Sequence, residues 1–487
     1  MSELPGSRNV TGLSVSEGEH LLAKILSEVP RRYRLDDLPE VSDGNGDPLH
    51  CANQLAVVME HARRALAEGQ QPGPQLKQRF LHCLETLLRD AMQPEGGDPT
   101  FQALVLRHQS EVVQEYVALA VQQAQDTRRL HALLNAFAHP AKLARMPVSE
   151  PRKRLEALQE HAAQARWSQT ASLVSELLSK TEDGFWGELD PAVHTGLHRM
   201  QQDASLLRLQ RLEVLTREPE VQRYQALWER QGPPANSHAA AQNGAEGRLR
   251  GNNVETLTKE ALQALADFLN ARVEGSPYRV VTAMYVPAAL AAHQEGGKTE
   301  WDAVLLRRVA EADPHEGAES ALTDDAALWE VSLLVEAKAS PDSVATDFPR
   351  LLRGLKVLAQ ADEHRNYPFK AREGIFLLRG AQLARLPTEV ETLDNMVLYT
   401  SDAPADRNPR LLSAAARMQL MSSPEGIAYA TAVSGGGTGD AHGLDALWTQ
   451  LLHAPQWTPI LQQYHTISQA RALMVHVDDL APPQPVL

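Results

Sequence analysis

The sequence predicts an α + α/β protein: an all-helical N-terminal region with a long antiparallel hairpin, then a C-terminal domain of α-β-β-β-α-β order. Three observations predict it. Apolar residues recur at helical spacing from about Gly18 to Arg230 with no strand-like alternation. A stretch of small, polar and turn-forming residues, "QGPPANSHAAAQNGAEG", runs from Gln231 to Gly247 and reads as a linker. Beyond it stand an amphipathic helix and three runs rich in β-branched residues.

With 487 residues the chain exceeds one ordinary core. The pattern divides it into a helical region over 1–230, a linker over 231–247 and an α/β domain with a helical extension over 248–487. No run approaches the roughly 18 apolar residues of a membrane span, and "MSELPGSRNV" lacks the basic and apolar parts of a secretion signal, so a cytoplasmic protein without membrane association is expected. Cys51 and Cys83 form no C-x-x-C, which points to helix packing rather than zinc or a disulfide framework. A formal charge of −15 excludes coating of nucleic acid through a broad basic surface. Any such contact must be local.

The helical region is punctuated by "VSDGNGDP", "GQQPGP", "QPEGGDP" and "KTEDGFWGELDP". Its clearest pair of arms covers Glu150 to Lys180 and Pro191 to Arg217. Leu155, Leu158, Ala162, Ala165, Leu173 and Leu177 form the stripe of the first arm, and Leu197, Met200, Ala204 and Leu207 that of the second. Asp190-Pro191 supplies an N-cap and a first helical proline. After the linker, "NNVETLTKEALQALADFLN" predicts a helix, and "YRVVTAMYV", "KTEWDAVLLRR" and "LWEVSLLVEAK" predict strands. An acidic insertion, "AEADPHEGAESALTDDAA", separates the last two. A helix, "SVATDFPRLLRGLKVLAQAD", and short strands at "GIFLLRG" and "NMVLYT" complete the unit.

The end of the third run raises a chemical question, because Glu336 and Lys338 follow the apolar Val331, Leu333, Leu334 and Val335, and burying an unpaired charge costs several kcal/mol. In a strand alternate side chains share a face, so Glu336 and Lys338 point together, as do Glu300 and Asp302 on the preceding strand. Were those strands neighbours, Asp302, Glu336 and Lys338 would converge.

Asp302 in "TEWDAVLL" and the triplet Glu336-Ala337-Lys338 in "LLVEAKAS", set in this element order, resemble the PD-(D/E)XK nuclease superfamily, the restriction-endonuclease-like fold. The resemblance covers roughly Asn252 to Gly380. It implies Mg²⁺, with Mn²⁺ as substitute, held by Asp302, Glu336 and the carbonyl of Ala337, and a catalytic set of Asp302, Glu336, Lys338 and an acidic residue from the first helix. Glu255 and Glu260 compete for that last place; Glu255 flanks the apolar stripe of Val254, Leu257, Ala261, Leu265 and Phe268 and is favoured. Two departures stand out: no proline precedes Asp302, and the acidic insertion lengthens the gap to Glu336.

The chemistry accounts for these residue types. A phosphodiester repels nucleophiles, and a divalent cation relieves that charge and lowers the pKa of a bound water. Mg²⁺ takes oxygen ligands and keeps several waters. Lys338 would orient or help deprotonate the attacking water and stabilise developing charge. Arg350, Arg353 and Lys356 recur at three-residue spacing on the next helix as a candidate nucleic-acid contact, with a solvated basic stripe the slightly favoured alternative. Roughly 21 Lys and Arg face 31 Asp and Glu after Pro234, which argues against strong binding of long duplex DNA by this half alone.

Two other motifs fail. "DGNGDP" has Pro48 where a calcium loop needs Gly and Gln54 where it needs Glu, and "SGGGTGDAHG" lacks the Gly-Lys-Ser/Thr ending of a phosphate loop. The expected function is therefore metal-dependent hydrolysis of nucleic acid, DNA being favoured over RNA, in an antiviral or restriction system or as a toxin. The helical region would bind a protein partner, self-associate or position substrate. The rival is a non-catalytic scaffold carrying a degenerate nuclease-like module.

Overall fold

The computed structural model describes residues 13–41, 48–182, 190–231, 238–275, 277–291, 296–311, 327–406, 408–437, 439 and 441–481. Most of the acidic insertion and most of the "DGNGDP" turn lie outside them, as do two residues of "SGGGTGDAHG", seven of "KTEDGFWGELDP" and part of the linker. The chain forms two compact units. One comprises Met1–Leu87, Asn236–Leu420 and Asp445–Leu487; the other comprises Leu88–Ala235 and Met421–Leu444. No helix among the described residues is long and apolar enough to cross a membrane.

The second unit is helical, with α4 (Pro99–Gln109), α5 (Glu111–Ala138), α6 (Pro140–Leu143), α7 (Glu150–Ala163), α8 (Trp167–Glu182), α9 (Pro191–Gln202), α10 (Ala204–Leu215) and α11 (Pro219–Glu229). Its starts follow capping chemistry. Asp98 accepts the Thr100 and Phe101 amides ahead of α4, Ser110 accepts the Val113 amide in α5, and Asp190 accepts the Ala192 amide ahead of Pro191 in α9, as the sequence predicts.

The long hairpin does not form as expected; its arms are four helices. Ala165, at φ 54°, stands in left-handed backbone and ends the first arm's opening helix. Asp203 is extended, and its carboxylate caps α10. Each break resets the helical phase. Leu155, Leu158, Ala162, Leu173, Leu177, Leu197 and Met200 are buried as predicted, but Ala165, Ala204 and Leu207 face out and Leu206, Leu209 and Leu212 take the core positions. Two buried aspartates tie α10 to α5: Arg208 grips Asp126 through two hydrogen bonds of 2.7 and 2.6 Å, and Arg129 reaches Asp203 at 2.8 Å.

The first unit holds a seven-stranded mixed sheet: β1 (Tyr278–Tyr285), β2 (Glu300–Glu311), β3 (Ala327–Ala337), β4 (Asn366–Ala371), β5 (Gly374–Arg379), β6 (Val397–Ser401) and β7 (Met474–His476). β2 lies antiparallel between β1 and β3. On its other edge β3 runs parallel to β5 in its first half and to β6 in its second, and β7 extends the sheet beyond β6. β3 is therefore central and covered on both sides, which is why its sequence is nearly continuous in apolar residues.

One face, with Ala303, Leu305, Leu333, Val335 and Leu398, packs on Leu262, Leu265 and Leu269 of α12 (His238–Asn270) and on Leu22 and Leu26 of α1 (Val15–Glu28). The other, with Val304, Leu306, Leu334 and Tyr399, packs on Phe348, Leu351 and Leu355 of α14 (Val344–Leu358). The predicted three strands and two flanking helices are present. The short strands expected at "GIFLLRG" and "NMVLYT" are β5 and β6, and β4, which forms a hairpin with β5, adds to that order.

Two boundaries differ from expectation. The first 87 residues group with the sheet unit, because α1 completes the α12 face and Tyr33 donates from its phenol to the Ser401 and Ala403 carbonyls. The stretch expected as a linker is helical from His238, inside α12. Alanine-rich sequence without proline favours helix even where, as at Ala245–Arg250, every residue is exposed and leaves no apolar period to detect. Cys51 and Cys83 are buried and free. They are neighbours: burial and the adjacent Cys51 push the Cys83 thiol up to about 12.

Candidate active site at the ends of two strands

β2 and β3 pair in a register that sets Ala303 opposite Val335, so one step further brings Asp302 beside Glu336. Regular pairing stops there. Asp302 Oδ2 instead accepts the Ala337 backbone N–H at 3.0 Å, which fixes its carboxylate at the strand end. On the other side of β2, Ala283 is the β1 residue across from Asp302 and sits at φ 49°. Left-handed backbone at a non-glycine residue costs about 1–2 kcal/mol and marks where β1 kinks beside the site.

Glu336 is fully buried. Its Oε2 accepts from Lys298 Nζ and, at 3.4 Å, from Lys338 Nζ. Asp347 of α14 shares both ammoniums, at 3.3 Å from Lys338 and 3.9 Å from Lys298, and accepts the Tyr399 phenol at 3.1 Å. Glu336 Oε1 has no hydrogen-bond donor among the described residues. Burial, and then the negative charge of Asp302, raise the Glu336 carboxyl from 4.5 to about 8 against the pull of both lysines. In this state Glu336 holds a proton at neutral pH.

Burial pushes the Lys338 ammonium down, but Glu336, Asp347 and Asp302 outweigh it and raise its pKa. Lys338 thus stays charged. The Tyr399 phenol is raised as well, by burial and by the carboxylates of Asp347 and Glu336.

Glu255 belongs to α12, which is bolted to the site's backbone. Thr258 and Thr400 are buried and their hydroxyls meet at 2.7 Å, while Thr400 also donates to the Glu336 carbonyl at 3.3 Å. Glu255, one turn before Thr258, is largely exposed, yet partial burial of its carboxyl and the charge of Asp302 raise its pKa. Glu260 is exposed further along the helix. Lys259 reaches Glu373 at 3.0 Å, and Glu373 accepts both the amide and the hydroxyl of Thr282. These bonds hold α12 against the β1 kink.

The structure thus brings Asp302, Glu336 and Lys338 together, with Ala337 between the last two and Glu255 in electrostatic range. Arg350, Arg353 and Lys356 lie exposed on α14, and none forms an ion pair with that group among the described residues. They flank the segment that carries Lys298: the Arg350 carbonyl accepts the Lys298 amide at 3.2 Å and Arg353 Nε donates to the Gly296 carbonyl at 3.0 Å.

Lys298, Asp347 and Tyr399 are the partners that sequence reasoning missed. Lys298 precedes Asp302 by four residues, so strand alternation continued backward would have put both on one face. Tyr399 pairs with Glu336 across β3 and β6. Among the described residues no group of three or more His, Cys, Asp or Glu gathers as a metal cluster. Asp302 and Glu336 offer two carboxylates.

No protein-family model, no curated protein and no solved structure matches the chain.

Proposed function

We propose that the chain is a metal-dependent nuclease of the PD-(D/E)XK kind that hydrolyses phosphodiester bonds, with DNA the favoured substrate. One observation carries the reading: a fully buried glutamate at a strand tip keeps one oxygen without a donor, next to a second carboxylate and a lysine two residues on. A buried carboxyl that keeps its proton because a second carboxylate crowds it is a ready ligand for a cation, which takes the place of the proton.

The donor set suits a hard cation of low protein-ligand count. Asp302, Glu336 and the Ala337 carbonyl would hold Mg²⁺ or Mn²⁺, with Glu255 in support, and two carboxylates suffice for an ion that keeps several waters. When bound, the ion neutralises phosphate charge and lowers the pKa of a water. The remaining work falls to side chains. Lys338, kept protonated by its acidic neighbours, acts as a fixed positive donor to a phosphate oxygen rather than as a base. Asp347 and Tyr399 hold its ammonium in place. The water oxygen bonds to phosphorus as the bond to the sugar oxygen breaks; water loses a proton and the sugar oxygen gains one.

The test is cleavage of plasmid, short duplex, single-stranded DNA and RNA with Mg²⁺ or Mn²⁺. Asp302→Asn and Lys338→Ala should each abolish it, and equal activity of wild type and both variants would assign any cleavage to contamination.

A second reading, a non-catalytic module, draws on Lys298 and Lys338, which already engage Glu336 and Asp347 without a metal. Thermal stability separates the two: a working site gains several degrees from millimolar Mg²⁺ or Mn²⁺ by linkage, and a scaffold gains none.

A further inference from the structure

We infer that Lys298 is a second catalytic cation, an ammonium that binds the scissile phosphate where two-metal hydrolases place a second ion. The inference rests on the nuclease reading above and names a residue outside the E-x-K triplet.

Lys298 is a built position. Its amide donates to the Arg350 carbonyl at 3.2 Å, and its backbone lies on α14 at Gly354, where a Cβ would stand 2.9 Å from the Lys298 Cβ. Only glycine admits so close an approach. The side chain then runs inward, 10% exposed, to Glu336 Oε2 and Asp347 Oδ2. Lys338 converges on the same two oxygens and is 15% exposed. Both lysine side chains keep a little exposure, whereas Glu336 between them is sealed.

Charge explains why one lysine is not enough. Once Glu336 gives up its proton, as it must to hold a divalent ion, the carboxylates of Asp302, Glu336 and Asp347 exceed the ammoniums of Lys298 and Lys338 by one negative charge. A divalent ion on the Asp302 side turns that into one net positive charge, which suits a phosphate gaining negative charge in the transition state. Without Lys298 the same site is neutral. A second ion would have to displace the two ammoniums from Glu336 Oε2.

The experiment uses the full chain as wild type, Lys298→Met and Lys298→Arg, with calorimetric Mn²⁺ titration, thermal melts, and steady-state cleavage of a short DNA duplex at saturating Mn²⁺. Wild type should bind one Mn²⁺ per chain. Lys298→Met should bind one Mn²⁺ at least as tightly, and its kcat should fall about 100-fold with KM changed far less. Lys298→Arg should recover part of the loss. Two Mn²⁺ per wild-type chain would overturn the inference, as would a Lys298→Met enzyme as fast as an active wild type; neither result touches the nuclease reading. Should Lys298→Met fail to melt cooperatively, the wild-type stoichiometry and a Lys298→Arg kcat either lowered or equal to wild type decide in the same way. A wild type that neither binds Mn²⁺ nor cleaves, beside a Lys298→Met that binds it, would make Lys298 a built-in replacement for the metal and end both readings.

Discussion

Replacing Glu336 with glutamine should stabilise the metal-free protein, and more so as pH rises. In the folded chain the carboxyl holds its proton up to about 8, against 4.5 for the free group. Below 4.5 both states are protonated and the group is neutral towards folding. Between 4.5 and about 8 the unfolded chain releases the proton and the folded chain keeps it, so stability falls as pH rises and the loss is complete above about 8. At about 1.4 kcal/mol per pH unit the cost is about 3 to 5 kcal/mol by pH 8. Full burial of Glu336 means that no solvent screening reduces it. Glutamine keeps an oxygen for Lys298 and Lys338 and cannot ionise. Melts of both proteins in EDTA from pH 5 to pH 9 should show stabilities close at pH 5 that separate steadily, the variant above. Parallel curves across that range would refute the view that Glu336 is held as an acid between Asp302 and the apolar interior.

Gly354→Ala should displace Lys298 from α14, costing about 1–3 kcal/mol in the sheet unit by overpacking and lowering kcat in the direction of Lys298→Met; calorimetry and steady-state cleavage read both. Gly196→Ala should act only on the helical unit, because the added Cβ overlaps the Phe137 ring; a loss of about 1–3 kcal/mol in that unit's transition, with the sheet unit's unmoved, is the expected scan. Lys338→Ala and Asp302→Asn should both stop cleavage for different reasons, the first by removing the fixed positive donor and the second by removing a charged oxygen ligand.

What was legible in the sequence had a period. The strands of the sheet centre show as apolar runs because the middle of β2 and most of β3 are covered on both faces, and the convergence of Asp302 with Glu336 and Lys338 follows from strand alternation plus one antiparallel pairing. β4 was missed because "NYPFKA" carries Pro368 and alternates over only six residues, and β7 because three residues show no period. Ala245–Arg250 of α12 are all exposed and show no apolar period. The split hairpin turned on one left-handed alanine and one capping aspartate, local events that leave the leucine spacing nearly helical across each break. Asp347 reaches the site from a helix packed on the sheet face and Tyr399 from the strand paired beside β3, placements set by tertiary packing. Lys298 was within reach of the alternation rule, but its role depends on Gly354, and that contact joins residues 56 apart, from Lys298 to Gly354.

The most direct test of the site is calorimetric titration of Mn²⁺ into wild type, Asp302→Asn and Lys338→Ala, each shown by melting to be folded. The wild type should bind one ion per chain, Asp302→Asn should lose about tenfold or more in affinity, and Lys338→Ala should bind as well as wild type or better, since a neighbouring positive charge is gone. Absence of binding to the wild type, or binding untouched by Asp302→Asn, would contradict the assignment of the Asp302 and Glu336 carboxylates as the metal-holding pair.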